Sequence, residues 1–168
     1  SGGAVYSEKT LSLRSIVISN SQAFSGGGLS FNARYSGQSL TIINSSFLGN
    51  IARPLSTTTA NSDGGGLRVG ERCSGTTSPV TITINNSLFS GNQTQPGATF
   101  LSSAGGGMHI NAAGVDLTIT DTRVVGNSVV NQNPAVSGAN NRGGGISIVG
   151  ANTARIERSE IAGNSANR

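Results

Sequence analysis

Nine side chains in this 168-residue chain are a carboxylate, an imidazole or a thiol, the groups from which acid–base pairs and metal sites are most often built: seven carboxylates, one imidazole and one thiol. The acids are Glu8, Asp63, Glu71, Asp116, Asp121, Glu157 and Glu160. Cleaving a polysaccharide calls for two carboxyl groups flanking one glycosidic bond, or for clustered acids that hold calcium beside a base. Asp63 stands just before a glycine tag, and Asp121 and Glu157 stand at or next to a bend, so no such cluster is expected. His109 has no second His or Cys at ligand spacing, which argues against zinc. Its neighbours Met108 and Ile110 should face inward, which turns His109 outward as a surface residue. Cys73 is the one cysteine, so it cannot close an intrachain disulfide. It reads as a loop thiol within 70–79. No catalytic, cofactor-binding or metal residue is assigned, and no cofactor is expected.

The composition narrows the fold. There are 25 glycines, 25 serines and 17 asparagines, charged residues make up 11 %, and Trp is absent. This disfavours helices. No apolar run approaches the roughly 20 residues that span a bilayer, so membrane insertion is not expected. The net charge of +4 comes mainly from singly scattered arginines. Without a basic cluster or interleaved aromatics, nucleic acid is not an expected partner.

The elements that must position these residues come from a repeat, and repeats decide fold before anything else. A glycine tag followed by alternating apolar residues occurs five times: Gly2–Val5, Gly26–Leu29, Gly64–Leu67, Gly105–Met108 and Gly143–Ile146. A second tag follows each, as LTIINSSFLGN at 40–50, ITINNSLFSGN at 82–92, LTITDTRVVGN at 117–127 and ARIERSEIAGN at 154–164; the first copy, LSLRSIVISN at 11–20, reads one residue shorter. Alignment gives an apolar column (Leu13, Ile42, Ile84, Ile119, Ile156), a second (Val17, Phe47, Phe89, Val124, Ile161) and an asparagine ladder (Asn20, Asn50, Asn92, Asn127, Asn164). Spacing between tags varies, so insertions sit in loops. Each repeat holds three short stretches of period two, which read as strands. Stacking them predicts an all-β, single-stranded parallel β-helix: one domain over 1–168, five rungs of three strands, with repeats at about 1–25, 26–63, 64–104, 105–142 and 143–168. The long arms with Pro54, Pro96 and Pro134 are expected to stack as a ridge. Sequons at Asn44, Asn85 and Asn92 read as coincidences of composition.

The tags resemble the GGA[ILV] and FxxN tetrapeptides of polymorphic outer-membrane proteins. Gly2–Val5 carries the first motif, and Phe47–Asn50 and Phe89–Asn92 the second, with Val124–Asn127 and Ile161–Asn164 as looser copies. They are also similar to the repeats of bacterial secreted right-handed β-helix proteins. This resemblance implies a right-handed coil, an extracellular or cell-surface location and often adhesion, and it implies no reaction.

Ser1 reads as a processed start, and the repeat pattern predicts uncapped ends. Val5, Leu11, Leu13 and Val17 at one end, and Ile146, Ile148, Ile156 and Ile161 at the other, form the expected end-stacking interface. Open strand edges template further pairing. The expected function is therefore an extracellular structural subunit that stacks head-to-tail into a filament, its partner being itself. Arg155, Glu157, Arg158 and Glu160 make the last repeat the most charged, either a shield for that end or a docking surface for Glu8 and Lys9 of a following copy. The alternative is an excised part of a longer β-helix, an adhesin or glycan-binding passenger fragment whose arms and Ser/Thr/Asn surface meet glycans or a host receptor. The outward column Ser12, Thr41, Thr83, Thr118, Arg155 hints at an ice-binding ladder broken by arginine. A polysaccharide lyase or hydrolase is the least favoured reading.

Overall fold

Short apolar alternations separated by turn residues can bury a face only by stacking on copies of themselves, and they do so here. The computed structural model describes residues 2–54, 62–70, 79–95, 103–130 and 141–167. The first rung comprises β1 (Val5–Ser7), β2 (Leu11–Arg14), β3 (Val17–Ser19) and β4 (Gln22–Ala23). The second is β5 (Leu29–Asn32), β6 (Ser39–Ile43), β7 (Ser46–Leu48) and β8 (Ile51–Ala52). The third is β9 (Leu67–Gly70), β10 (Val80–Asn85), β11 (Leu88–Ser90) and β12 (Gln93–Thr94). The fourth is β13 (Met108–Asn111), β14 (Val115–Thr120), β15 (Arg123–Val125) and β16 (Ser128–Val129). The fifth is β17 (Ile146–Val149), β18 (Thr153–Glu157), β19 (Glu160–Ala162) and β20 (Ser165–Ala166).

Equivalent strands pair in parallel into four sheets of five strands: β1-β5-β9-β13-β17, β2-β6-β10-β14-β18, β3-β7-β11-β15-β19 and β4-β8-β12-β16-β20. The molecule is a parallel β-helix, and five rungs at about 4.8 Å each make a rod of about 24 Å. Each rung has four strands, not the three expected. The fourth is two residues long, too short for a period-two signal. It continues directly from the asparagine and so reads as loop.

The core is a set of columns. Leu29, Leu67 and Met108 stack on the first sheet, Leu40, Ile82 and Leu117 on the second, and all six are fully or almost fully buried. The Phe47 and Phe89 rings stack at 4.6 Å between centroids and 3° between planes, so the rung repeat and the preferred ring separation coincide.

The first repeat corrects the sequence alignment. Ile18, not Val17, pairs with Phe47, and Val17 pairs with Ser46. Val17 is 67 % exposed, whereas Ile18 is buried. A one-residue slip exchanges the two faces of a strand, so Val17 leaves the expected apolar column and the end interface. Asn20 leaves the ladder with it. Its φ of 53° matches Gly49 (60°), Gly91 (63°), Gly126 (63°) and Gly163 (62°), and Ser21 holds the ladder position. Asparagine tolerates this left-handed bend, which is how Ser19–Asn20 came to imitate a Gly–Asn pair. With this register the first repeat is not short.

Candidate functional site

Two polar ladders run through the corners of the rod. In the first, the Asn50 side-chain amide donates to Asn92 Oδ1 (2.9 Å), Asn92 to Asn127 Oδ1 (2.9 Å) and Asn127 to Asn164 Oδ1 (3.0 Å). The second hydrogen of each amide goes inward, to the carbonyls of Ile18, Phe47, Phe89 and Val124. Each Oδ1 also accepts the backbone N–H of the preceding rung, from Ser21, Asn50, Asn92 and Asn127. Asn50, Asn92 and Asn127 are wholly buried, so these bonds satisfy groups that water cannot reach. The third glycine of the last four tags (Gly28, Gly66, Gly107 and Gly145) makes room for them, while Ala4 stands there in the first. A Cβ on Gly66 would lie 3.1 Å from Asn92 Cγ and 2.7 Å from the Gly107 oxygen.

The second ladder is one that reading the sequence missed. Ser45, Ser87, Thr122 and Ser159 each donate a hydroxyl hydrogen to the carbonyl two residues back, at 2.8 Å. Each hydroxyl then accepts the N–H of the preceding rung, from Ile16, Ser45, Ser87 and Thr122. The signal was present as a Ser/Thr column two residues before the aromatic column. It went unread because those residues are common throughout the chain.

Both ladders have a direction: an N–H in one rung is served by a side chain in the next. They run from the first rung to the fifth, and the first rung adds no accepting side chain to them, since it holds Ile16 and Ser21 where the others hold a ladder hydroxyl and a carboxamide. The fifth rung holds Ser159 and Asn164. At the two ends the inward columns are partly open. Val5, Leu11, Leu13, Ile146 and Ile148 are half-buried, and Ile156 and Ile161 are 39 % and 48 % exposed. Among the described residues nothing pairs with the outer edges of the first and fifth rungs.

The bend between the second and third sheets carries an outward column of positive φ: Ser15, Asn44, Asn86, Asp121 and Arg158, at 44° to 54°. Asn86 donates to Asn44 at 2.8 Å. The Arg158 guanidinium grips Asp121 through two bonds of 2.8 and 2.9 Å and holds that carboxyl below its ordinary value. An open groove of about 290 Å³ runs along this bend, lined among others by Asn44, Asn86, Asp121 and Arg123.

The described carboxylates are all engaged. Glu8 pairs with Arg34 (2.7 Å), Glu160 with Arg123 (2.6 Å) and Glu157 with Arg155 (2.6 Å). Asp63 accepts the Ala104 N–H, and Asp116 accepts from Asn152 and Thr153. Among the described residues no group of three His, Cys, Asp or Glu could hold a metal ion, and no helix is long and apolar enough to cross a membrane. Glu71 and Cys73 lie outside the described residues, as do Pro96, Pro134 and most of the arms expected to form a ridge.

His109 corrects another expectation. The column Tyr6, Ser30, Arg68, His109, Ser147 is real, but His109 is only 5 % exposed and its Nδ1 has no hydrogen-bond partner. Burial pushes its pKa below 6.5, Asp63 opposes that shift and Arg68 adds to it. The outward column Ser12, Thr41, Thr83, Thr118, Arg155 stands in register as expected. Of the sequons, Asn92 is buried in the ladder and Asn44 accepts a hydrogen bond from Asn86.

Comparison with protein-family models, with curated proteins and with solved structures finds no match to this chain.

Proposed function

We propose that this chain is an extracellular structural β-solenoid subunit that stacks head-to-tail on copies of itself. The observation that carries the reading is the continuity of the inward columns across such a contact. Continuing the register by one rung sets Val5 of a second copy over Ile146, Leu13 over Ile156, and Ile18 over Ile161. These three are apolar on apolar, in the order already present inside the rod, while a fourth inward column is broken where Ser7 of the second copy falls over Ile148. Each fully buried side chain of this size is worth about 1.5–3 kcal/mol, and strand edges left open invite parallel pairing. A contact between two different surfaces of the same molecule propagates without closing when its rotation does not return on itself. The extracellular placement rests on the resemblance of the repeat tags. Sedimentation velocity and negative-stain microscopy of the chain at micromolar concentration test the reading. Rods longer than a single molecule, growing with concentration, are expected; monomers throughout overturn it.

A second reading, a module that binds neutral glycans, is favoured by the groove along Asn44, Asn86 and Asp121. It holds amide and carboxylate groups at the rung spacing, a pattern suited to sugar hydroxyls. Glycan-array binding that is lost in Asn86→Ala supports it, and no binding to any neutral oligosaccharide sinks it.

A further inference from the structure

We infer that a single charge pair, Arg14 of one copy against Glu157 of the next, fixes the register of the contact between copies; this rests on the head-to-tail reading above. Arg14, Ile43, Asn85, Thr120 and Glu157 form one outward column of the second sheet, each the parallel partner of the next. Adding a rung in the same register sets Arg14 of a second copy beside Glu157, one strand spacing away, about 4.8 Å. Arg14 is exposed and makes no ion pair with any described residue. Glu157 pairs with Arg155 at 2.6 Å and lies 3.7 Å from Arg158, which Asp121 also holds, so two carboxylates balance two arginines at this edge and Arg14 would share Glu157 with Arg155. The adjoining outward columns bring Ser12 over Arg155, Ser15 over Arg158, and Val17 over Glu160, none of them a charge pair.

Glu8 and Lys9, the partners expected from the sequence, do not reach this site. They follow β1 on the first sheet, whereas Glu157 closes β18 on the second, in the column that begins at Arg14. A slip of the contact by one residue, which would also turn the apolar columns outward, places Leu13 or Ser15 against Glu157. The pair therefore rewards the same register that the core requires, and it discriminates against the opposite polarity of approach, where like ends meet.

Opposite charges directly across two strands attract and like charges repel, so charge reversal gives a specific test. The Arg14→Glu and Glu157→Arg chains are each made, and far-UV circular dichroism and thermal melting establish that each retains the β-helix. Sedimentation velocity is then run on wild type, on each variant and on their equimolar mixture. The wild type associates, and increasing ionic strength weakens that association. Each variant alone associates about fivefold more weakly or less. The mixture regains wild-type association, because every junction then pairs Glu with Arg. The neutral variants Arg14→Gln and Glu157→Gln serve where a reversal unfolds the chain, and they should abolish most of the salt dependence. Association of the wild type with variants that match it overturns the pairing but leaves head-to-tail stacking intact. A wild type that stays monomeric overturns both.

Discussion

At the scale of single residues, buried polar groups set the strongest constraints. Asn127 accepts the N–H and the side-chain amide of Asn92 and donates to Phe89 and Asn164. Asn127→Ala leaves several buried groups unpaired at once, each costing about 1–3 kcal/mol. The expected loss is at least about 3 kcal/mol, read from the denaturation midpoint. Asn44→Ala in the outward bend should cost only about 1 kcal/mol, since it loses a bond to Asn86 and gains left-handed strain. Equal losses would mean that the inner ladder has no special weight. His109 gives a pH dependence. Its folded pKa lies below its ordinary value of 6.5. In the window between the two, the unfolded chain binds a proton that the folded chain refuses. Stability is therefore full above 6.5 for this group and declines as pH falls through that window. His109→Gln should flatten the melting temperature between neutral and mildly acidic buffer; an unchanged slope would assign the effect to other groups.

At the scale of elements, the parallel β-helix was legible because its signal repeats. Five glycine tags, and a Gly–Asn pair that closes the second tag in four of the repeats, specify where the chain turns, and the turns fix which alternate residues face inward. Three things were not legible, each for a physical reason. The fourth strand is too short to alternate. The first repeat is ambiguous because asparagine and glycine both occupy the left-handed bend, so Asn20 could stand for either member of the tag. His109 does point away from the inward columns, but direction on a strand does not determine burial. The ladders supply a further prediction at this scale. Ile16 and Ser21 interrupt them in the first rung, so a contact between copies leaves the N–H groups of Ser159 and Asn164 without the acceptor that every internal junction provides. Restoring both residue types with Ile16→Ser and Ser21→Asn should tighten association of copies by about thirtyfold, one additional net hydrogen bond being worth about 1 kcal/mol and two acting together. Concentration-dependent sedimentation reads this directly. An association constant equal to that of the wild type would mean that the ladders end where the molecule does.

At the scale of the whole molecule, stability in a stacked array is a sum of rung and nearest-neighbour terms. The second to fourth rungs have a neighbour on each side, while the first and fifth have one. Fluctuations should therefore open the rod from its ends, and native-state hydrogen exchange should grade along the axis. In dilute solution the amides of β10 and β14 are expected to exchange slowest. Those of β2 and β18 should be faster, even though all four strands belong to one sheet. Concentration separates the two ways in which an open edge can behave. If copies stack, β2 and β18 gain a neighbour as concentration rises, and their protection climbs toward that of β10 while the central strands hardly change. A glycan-binding rod that never stacks keeps its gradient at every concentration. An oligosaccharide seated along Asn44, Asn86 and Asp121 would instead slow the amides at that bend in the middle rungs. The same exchange profile thus reports which surface of this β-helix is put to use. A profile that is flat along the axis in dilute solution would contradict the nearest-neighbour account from which both readings start.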